Sequence, residues 1–164
     1  MIENIGLVGA GSVGSGLIAT MYGNDPDHVF LVARGQRAER LRGGIEVNGA
    51  RFQPTVCASA DQGIHLDLLL VSVKSYSLDA VMEDIAGLID DDTVLLPLLN
   101  GITATDRLRE RFPRNRVLYG TVIRTDAHRI GRRAYFTTLG EMQIGYADNT
   151  VVAPEVAAVR ERLA

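Results

Sequence analysis

The chain has 164 residues, a net charge of −3 at neutral pH and 46% hydrophobic residues, which suits one compact domain rather than a disordered segment. No apolar run approaches the roughly 20 residues that span a bilayer, Met1-Ile2-Glu3-Asn4 lacks the positive start of a signal peptide, and the negative balance argues against nucleic acid as a partner. Cys57 is the single cysteine, so an intrachain disulfide is excluded, and the sum of these features points to the cytoplasm.

Ile2 to Val8 is a short apolar run that ends in glycines and reads as a buried strand. Ser12 to Tyr22 places Val13, Leu17, Ile18 and Met21 at helical spacing, and Gly23-Asn24-Asp25-Pro26 breaks it. His28 to Ala33 is a second buried strand. Arg37 to Arg42 reads as a short helix stopped by Gly43-Gly44, and Ile45 to Ala58 as strands around the Asn48-Gly49 turn. Leu66 to Val73 is the most apolar strand, followed by a helix over Leu78–Ile89 with Val81, Ile85 and Leu88 on one face. Thr93 to Leu99 is the next strand and Thr103 to Phe112 the next helix. Val117–Ile123, Ala134–Thr138 and Glu141–Ile144 read as three further strands.

Strands that are apolar throughout and alternate with helices predict a doubly wound, mainly parallel sheet with helices on both faces, a Rossmann-like α/β fold. Ligands of such sheets bind beyond the carboxyl ends of the strands, here after Val8, Ala33 and Val73. Residues 1–150 are read as this domain. Pro154 to Ala164 begins a helix with Val156, Val159 and Leu163 on one stripe and no terminating turn. That stripe needs a cover: either it folds back on the domain, or residues 151–164 start a linker helix toward a second domain. The second is the expectation.

Gly9-Ala10-Gly11-Ser12-Val13-Gly14 matches G-x-G-x-x-G between a strand and a helix. The first glycine permits the tight turn, the second lets backbone approach a pyrophosphate, and the third lets the helix pack against the strand. The helix start then offers free N–H groups and a partial positive charge to phosphates. Sites for NAD place Asp or Glu at the end of the second strand, about 20 residues on. Here Ala33-Arg34-Gly35-Gln36-Arg37 holds no carboxylate, and Arg34 offers a planar cation for a 2′-phosphate, with Arg37 in support. The cofactor expected is therefore NADP(H).

Of the 17 basic residues, Lys74 alone is lysine. It ends the strongest strand, where it can reach a cofactor or a substrate carboxylate. Asn100-Gly101 follows the next strand, and the pair serves equally as a ligand contact or as an ordinary turn. The five arginines between Arg107 and Arg116 are interrupted by acids and read as a solvated face. His28, His65 and His128 lack metal-ligand spacing, so no metal site is expected.

Together, Gly9–Gly14, Ala33-Arg34, Leu41-Arg42-Gly43-Gly44-Ile45-Glu46-Val47, Val71-Ser72-Val73-Lys74-Ser75 and Leu99-Asn100-Gly101 resemble the ketopantoate reductase (2-dehydropantoate 2-reductase) family over nearly the whole chain. The resemblance implies a two-domain NADPH-dependent reductase of cytoplasmic pantothenate synthesis, whose N-terminal domain binds cofactor. It implies that Arg34 contacts the 2′-phosphate, that Lys74 lies along the cofactor, and that Asn100 positions the nicotinamide ribose and the substrate carbonyl. The family's proton-donating lysine lies in the second domain, and this sequence has no lysine after Lys74. The family usually carries Gln where this chain has Leu99, and relatives of the same architecture reduce other 2-oxo acids. The partner expected is a small 2-oxo acid, with a homodimer as the base case. The competing readings are a non-catalytic NADP(H)-sensing module and a related reductase of another 2-oxo acid.

Overall fold

The computed structural model describes residues 1–99 and 103–164. The chain runs β1 (Ile5–Val8), α1 (Ser12–Asn24), β2 (Val29–Val32), α2 (Gly35–Arg42), β3 (Ile45–Val47), β4 (Ala50–Phe52), β5 (Thr55–Cys57) and β6 (Leu68–Val71). It continues through α3 (Leu78–Ile85), β7 (Val94–Pro97), α4 (Thr103–Arg111), β8 (Tyr119–Ile123), β9 (His128–Ile130), β10 (Arg133–Tyr135), β11 (Glu141–Gly145) and α5 (Pro154–Leu163).

Five strands form a parallel sheet in the order β5-β2-β1-β6-β7. Alternate residues of each strand point to opposite faces, and both faces are covered. Ile5, Leu7, Leu31, Leu68, Leu70 and Leu96 pack in the layer that holds Leu17 and Ile18 of α1 and Val156 and Val159 of α5. Val8, Val32, Leu69, Val71 and Leu95 pack against Val81 and Ile85 of α3 and Leu108 of α4. Burial on both sides is why these strands are apolar at every position. The chain leaves β1 for β2 on one side and returns to β6 on the other, so the strand order reverses beside β1, where open α/β sheets bind ligands. Register aligns Val8 with Val32 and with Val71, and Val71 with Pro97, so the following loops emerge at one edge.

A second, four-stranded sheet has the order β4-β3-β10-β9 and lies on the other side of α1. The strands read around the Asn48-Gly49 turn form: β3 and β4 pair in this sheet, while β5 joins the parallel one. The Asn48-Gly49 turn forms with φ of 51° and 78°, as a tight hairpin requires. β10 pairs in parallel with β3, Arg133 opposite Glu46. It also pairs with β9 through a two-residue turn in which Gly131 takes a φ of 59°. β9 is not foreseen from sequence, because His128-Arg129-Ile130 is exposed throughout and has no apolar alternation.

Lying between two sheets, α1 is buried at every residue from Gly14 to Ala19. A Cβ on Gly16 would lie 3.1 Å from the Phe136 ring, so glycine here permits close approach of the segment after β10. β8 and β11 form a separate antiparallel ladder. The helix expected over Leu78–Ile89 ends at Ile85, where Leu88 N–H closes a turn on the Ile85 carbonyl (2.8 Å) and Gly87 disfavours continuation.

α5 folds back on the domain. Val156 and Val159 are 3% and 0% exposed, so the stripe is covered from within the chain. Arg162 donates to the Glu3 carbonyl (3.2 Å) and pairs with Asp25 (2.6 Å), tying the last helix to the edge of the sheet. Among the described residues, no helix is long and apolar enough to cross a membrane.

Candidate functional site

The carboxyl edge of the parallel sheet opens into a cleft of about 1140 Å³. Its floor is the glycine turn between β1 and α1, and the three glycines meet different demands. Gly9 has a φ of 100°, and a Cβ there would overlap the Ser72 carbonyl of the next loop. A Cβ on Gly14 would overlap the Gly9 carbonyl. Gly11 has nothing within 4 Å of where its Cβ would stand, and it faces the cleft. The fold itself thus requires glycine at 9 and 14, whereas the space beside Gly11 is open toward a ligand.

α1 begins directly after this turn. Its first helical bond runs from Ser15 N–H to the Gly11 carbonyl (3.0 Å), so the Ser12, Val13 and Gly14 N–H groups precede the ladder. No side chain caps the helix and its first turn holds no acid. The free N–H groups and the helix dipole therefore favour an anion at the turn. Ala10, Gly11, Ser12 and Val13 all line the cleft.

From the loop after β6 come Ser72, Val73 and Lys74, and from that after β7 come Leu98 and Leu99. Lys74 is exposed and heads the short turn Ser75–Ser77. Arg34 lies at the end of β2 as the residue preceding α2. It is exposed and is not among the residues that line the cleft, whereas Arg37 and Arg40, one and two turns on, are. Asn100 lies outside the described residues.

The opposite wall comes from the second sheet and was not foreseen from sequence. β9 and β10 contribute Arg129, Arg132, Arg133 and Tyr135, and β3 contributes Glu46. Arg133 pairs with Glu46 at 2.9 Å, and that carboxylate pushes the guanidinium's pKa upward. The lining as a whole carries seven cationic side chains and one carboxylate, in a chain of net charge −3. Cationic side chains gathered in a concave site raise the local concentration of anions. One signal for this wall was available: Gly131-Arg132 is a glycine-led two-residue turn, the kind that closes a hairpin.

The remaining candidates are engaged elsewhere. Arg107, Arg111, Arg114 and Arg116 each pair with an acid, and Arg109 donates to the Val117 carbonyl (2.8 Å). Cys57 is buried on β5, and burial pushes its thiol pKa up. Hydrogen bonds donated to Asp25 and Asp90 push the pKa values of His28 and His65 up. Among the described residues no cluster of metal-ligating side chains occurs.

Comparison with known proteins places this geometry. The chain is 33% identical over 119 residues to the uncharacterized oxidoreductase YkpB of Bacillus subtilis, a match covering 70% of this chain and 39% of that protein. It is 28% identical over 148 residues to a 2-dehydropantoate 2-reductase of Archaeoglobus fulgidus, covering 86% and 48%. A solved complex of D-mandelate dehydrogenase with NADH has the same fold, with a TM-score of 0.79 at 20% identity over 98% of this chain and 52% of that one. The chain therefore spans about half the length, or less, of the relatives it matches. The family model described as ketopantoate reductase PanE/ApbA matches residues 5–149, from the first residue of β1 to beyond β11. The glycine turn, the parallel sheet and the cleft between them thus lie within the matched region, and the chain belongs to the ketopantoate reductase PanE/ApbA family.

Proposed function

We propose that the cleft binds NADP(H) and that residues 1–150 are the cofactor domain of an NADPH-dependent reductase of 2-oxo acids, 2-dehydropantoate being the leading substrate. The observation that carries this reading is the contrast at the glycine turn. Gly9 and Gly14 are locked by the chain's own carbonyls, while Gly11 opens onto free space beside uncapped N–H groups. A diphosphate fits that cradle in size, charge and hydrogen bonding.

In this reading the residues from Gly9 to Gly14 hold the diphosphate. Arg34, at the end of β2, meets the 2′-phosphate by swinging toward the cleft, and Arg37, which already lines it, shares that charge. Lys74 runs along the cofactor. Asn100 orients the nicotinamide ribose and the reacting carbonyl, a role that rests on the family resemblance. Reduced nicotinamide, when bound, supplies hydride to the ketone carbon. The alkoxide so formed needs a proton from a general acid. Lys74 is the single lysine of these 164 residues, and its place suits binding. We therefore assign the acid to a second domain, an assignment that rests on the family resemblance. By themselves the 164 residues bind cofactor and turn over little substrate. The family resemblance supports a cytoplasmic, pantothenate-forming role.

The D-mandelate dehydrogenase complex holds NADH, so NAD(H) is the second reading to test. Calorimetric titration with NADPH and NADH separates the two. Wild type is expected to prefer NADPH, and Arg34→Ala to lose about 1.5–3 kcal/mol of that preference, the worth of a hydrogen bond to a charged group. Equal affinity in wild type overturns the NADP(H) assignment, and no binding of either nucleotide overturns the cofactor reading.

A further inference from the structure

The cationic wall facing the glycine turn is not used by the reading above. Arg129 lies on β9 directly opposite Ala134 of β10. Cross-strand partners share a face, and Ala134 is 1% exposed in the layer that contains α1. Arg129 therefore extends over the same side, toward α1 and the turn before it. Its Nη1 donates to the carbonyl of Ala10 at 3.1 Å, inside the glycine motif. A guanidinium carries five donors, and that carbonyl takes one. On the same hairpin Arg133 is paired with Glu46, and nearby Arg51 donates to the Gly43 carbonyl.

The hairpin that carries Arg129 is also held in place. β10 is hydrogen-bonded to β3, and the Asn48 side chain bonds both the N–H and the carbonyl of Phe136, just beyond β10, at 2.9 and 3.0 Å. The arm is thus anchored on the element that also packs α1.

We propose that Arg129 is a cofactor-binding residue: the β9–β10 hairpin forms the jaw opposite the glycine turn, and the Arg129 guanidinium closes on the dinucleotide's diphosphate from the side away from the α1 N-terminus. This rests on the cleft being a dinucleotide site. It accounts for the contact to Ala10, which places the fork of donors next to the turn where a diphosphate sits. Arg–phosphate pairs are strong because two parallel N–H bonds can form at once.

The test titrates the full chain, as wild type, Arg129→Ala and Arg129→Lys, with NADPH, NADH and adenosine 2′-monophosphate, which lacks the diphosphate. Arg129→Ala is expected to weaken NADPH and NADH by one common factor of about tenfold or more, and to leave adenosine 2′-monophosphate unchanged. Arg129→Lys is expected to recover part of the loss, since it keeps the charge and not the fork. The proposal is overturned if Arg129→Ala binds both dinucleotides like wild type. It is also overturned if adenosine 2′-monophosphate weakens by the same factor, because Arg129 would then be shaping the turn rather than holding the diphosphate. Wild type that binds neither dinucleotide defeats the cofactor reading itself, a result distinct from an indifferent Arg129→Ala in a chain that does bind.

Discussion

A methyl group on Gly14 would meet the carbonyl of Gly9, and one on Gly9 would meet the carbonyl of Ser72. Neither obstacle is a flexible side chain, so backbone must shift to make room. Gly14→Ala is therefore expected to destabilise by about 1–3 kcal/mol, the usual range for overpacking, read as a lower midpoint in urea or thermal unfolding. A Gly14→Ala chain as stable as wild type would show that the turn is looser than described. The motif was legible from sequence because a short Gly-rich spacing between a strand and a helix has few other physical uses. What sequence did not reveal is the separation of roles, since only packing distinguishes a glycine pressed by the chain from one left open. The placement of Arg34 was half legible: its distance from the motif put it at the end of β2, but side-chain direction is set by how α2 leaves that strand.

At the scale of elements, the parallel sheet was readable because strands buried on both faces carry no polar alternation. The second sheet was not. Its defining pair, β3 with β10, joins Glu46 to Arg133 across most of the chain, and β9 is polar along its length. α1 shows the same difficulty in another form, since a helix between two sheets has no exposed stripe to mark its orientation. Asn48 is the residue that locks the β3–β4 turn to the end of β10, with a φ of 51° and two hydrogen bonds to Phe136. Asn48→Ala loses both bonds and leaves in the left-handed region a residue without the short polar side chain that lets Asn tolerate it. A loss of about 1–2 kcal/mol is expected, with faster hydrogen exchange in β9 and β10 than elsewhere. Uniform exchange across the chain would argue against that lock.

The seat of α5 carries a pH signature. The hydrogen bond from His28, with a further contribution from Arg162, holds the Asp25 carboxyl below its ordinary value of 3.8, and Asp25 raises His28 above 6.5. A lowered acid contributes stability that is present above its unfolded value and lost as pH falls through the folded one; a raised histidine contributes below its unfolded value and loses it as pH rises through the folded one. The Asp25 cluster is therefore strongest between about pH 3.8 and 6.5. The difference in thermal midpoint between wild type and Asp25→Asn is expected to peak in that window. It should shrink above it, where the Arg162 pair remains, and vanish in acid. A difference that keeps growing toward low pH would contradict the assignment.

For the whole molecule, a chain of net charge −3 gathers seven of its 17 basic residues at one cleft and aims an uncapped helix start into it. Fold class and the sheet edge that carries the candidate cleft were legible because both follow from chain-local patterns. The far wall of the cleft was not, because it is assembled by long-range pairing. The central claim is that the space beside Gly11 belongs to a dinucleotide. Gly11 has an extended φ of −80° and no neighbour within 4 Å of its absent Cβ, so Gly11→Leu is compatible with the folded chain while filling the cradle. Calorimetric titration of wild type and Gly11→Leu with NADPH, alongside their unfolding midpoints, tests this most directly. The account predicts equal midpoints and binding by wild type alone; NADPH binding by Gly11→Leu at wild-type strength would contradict it.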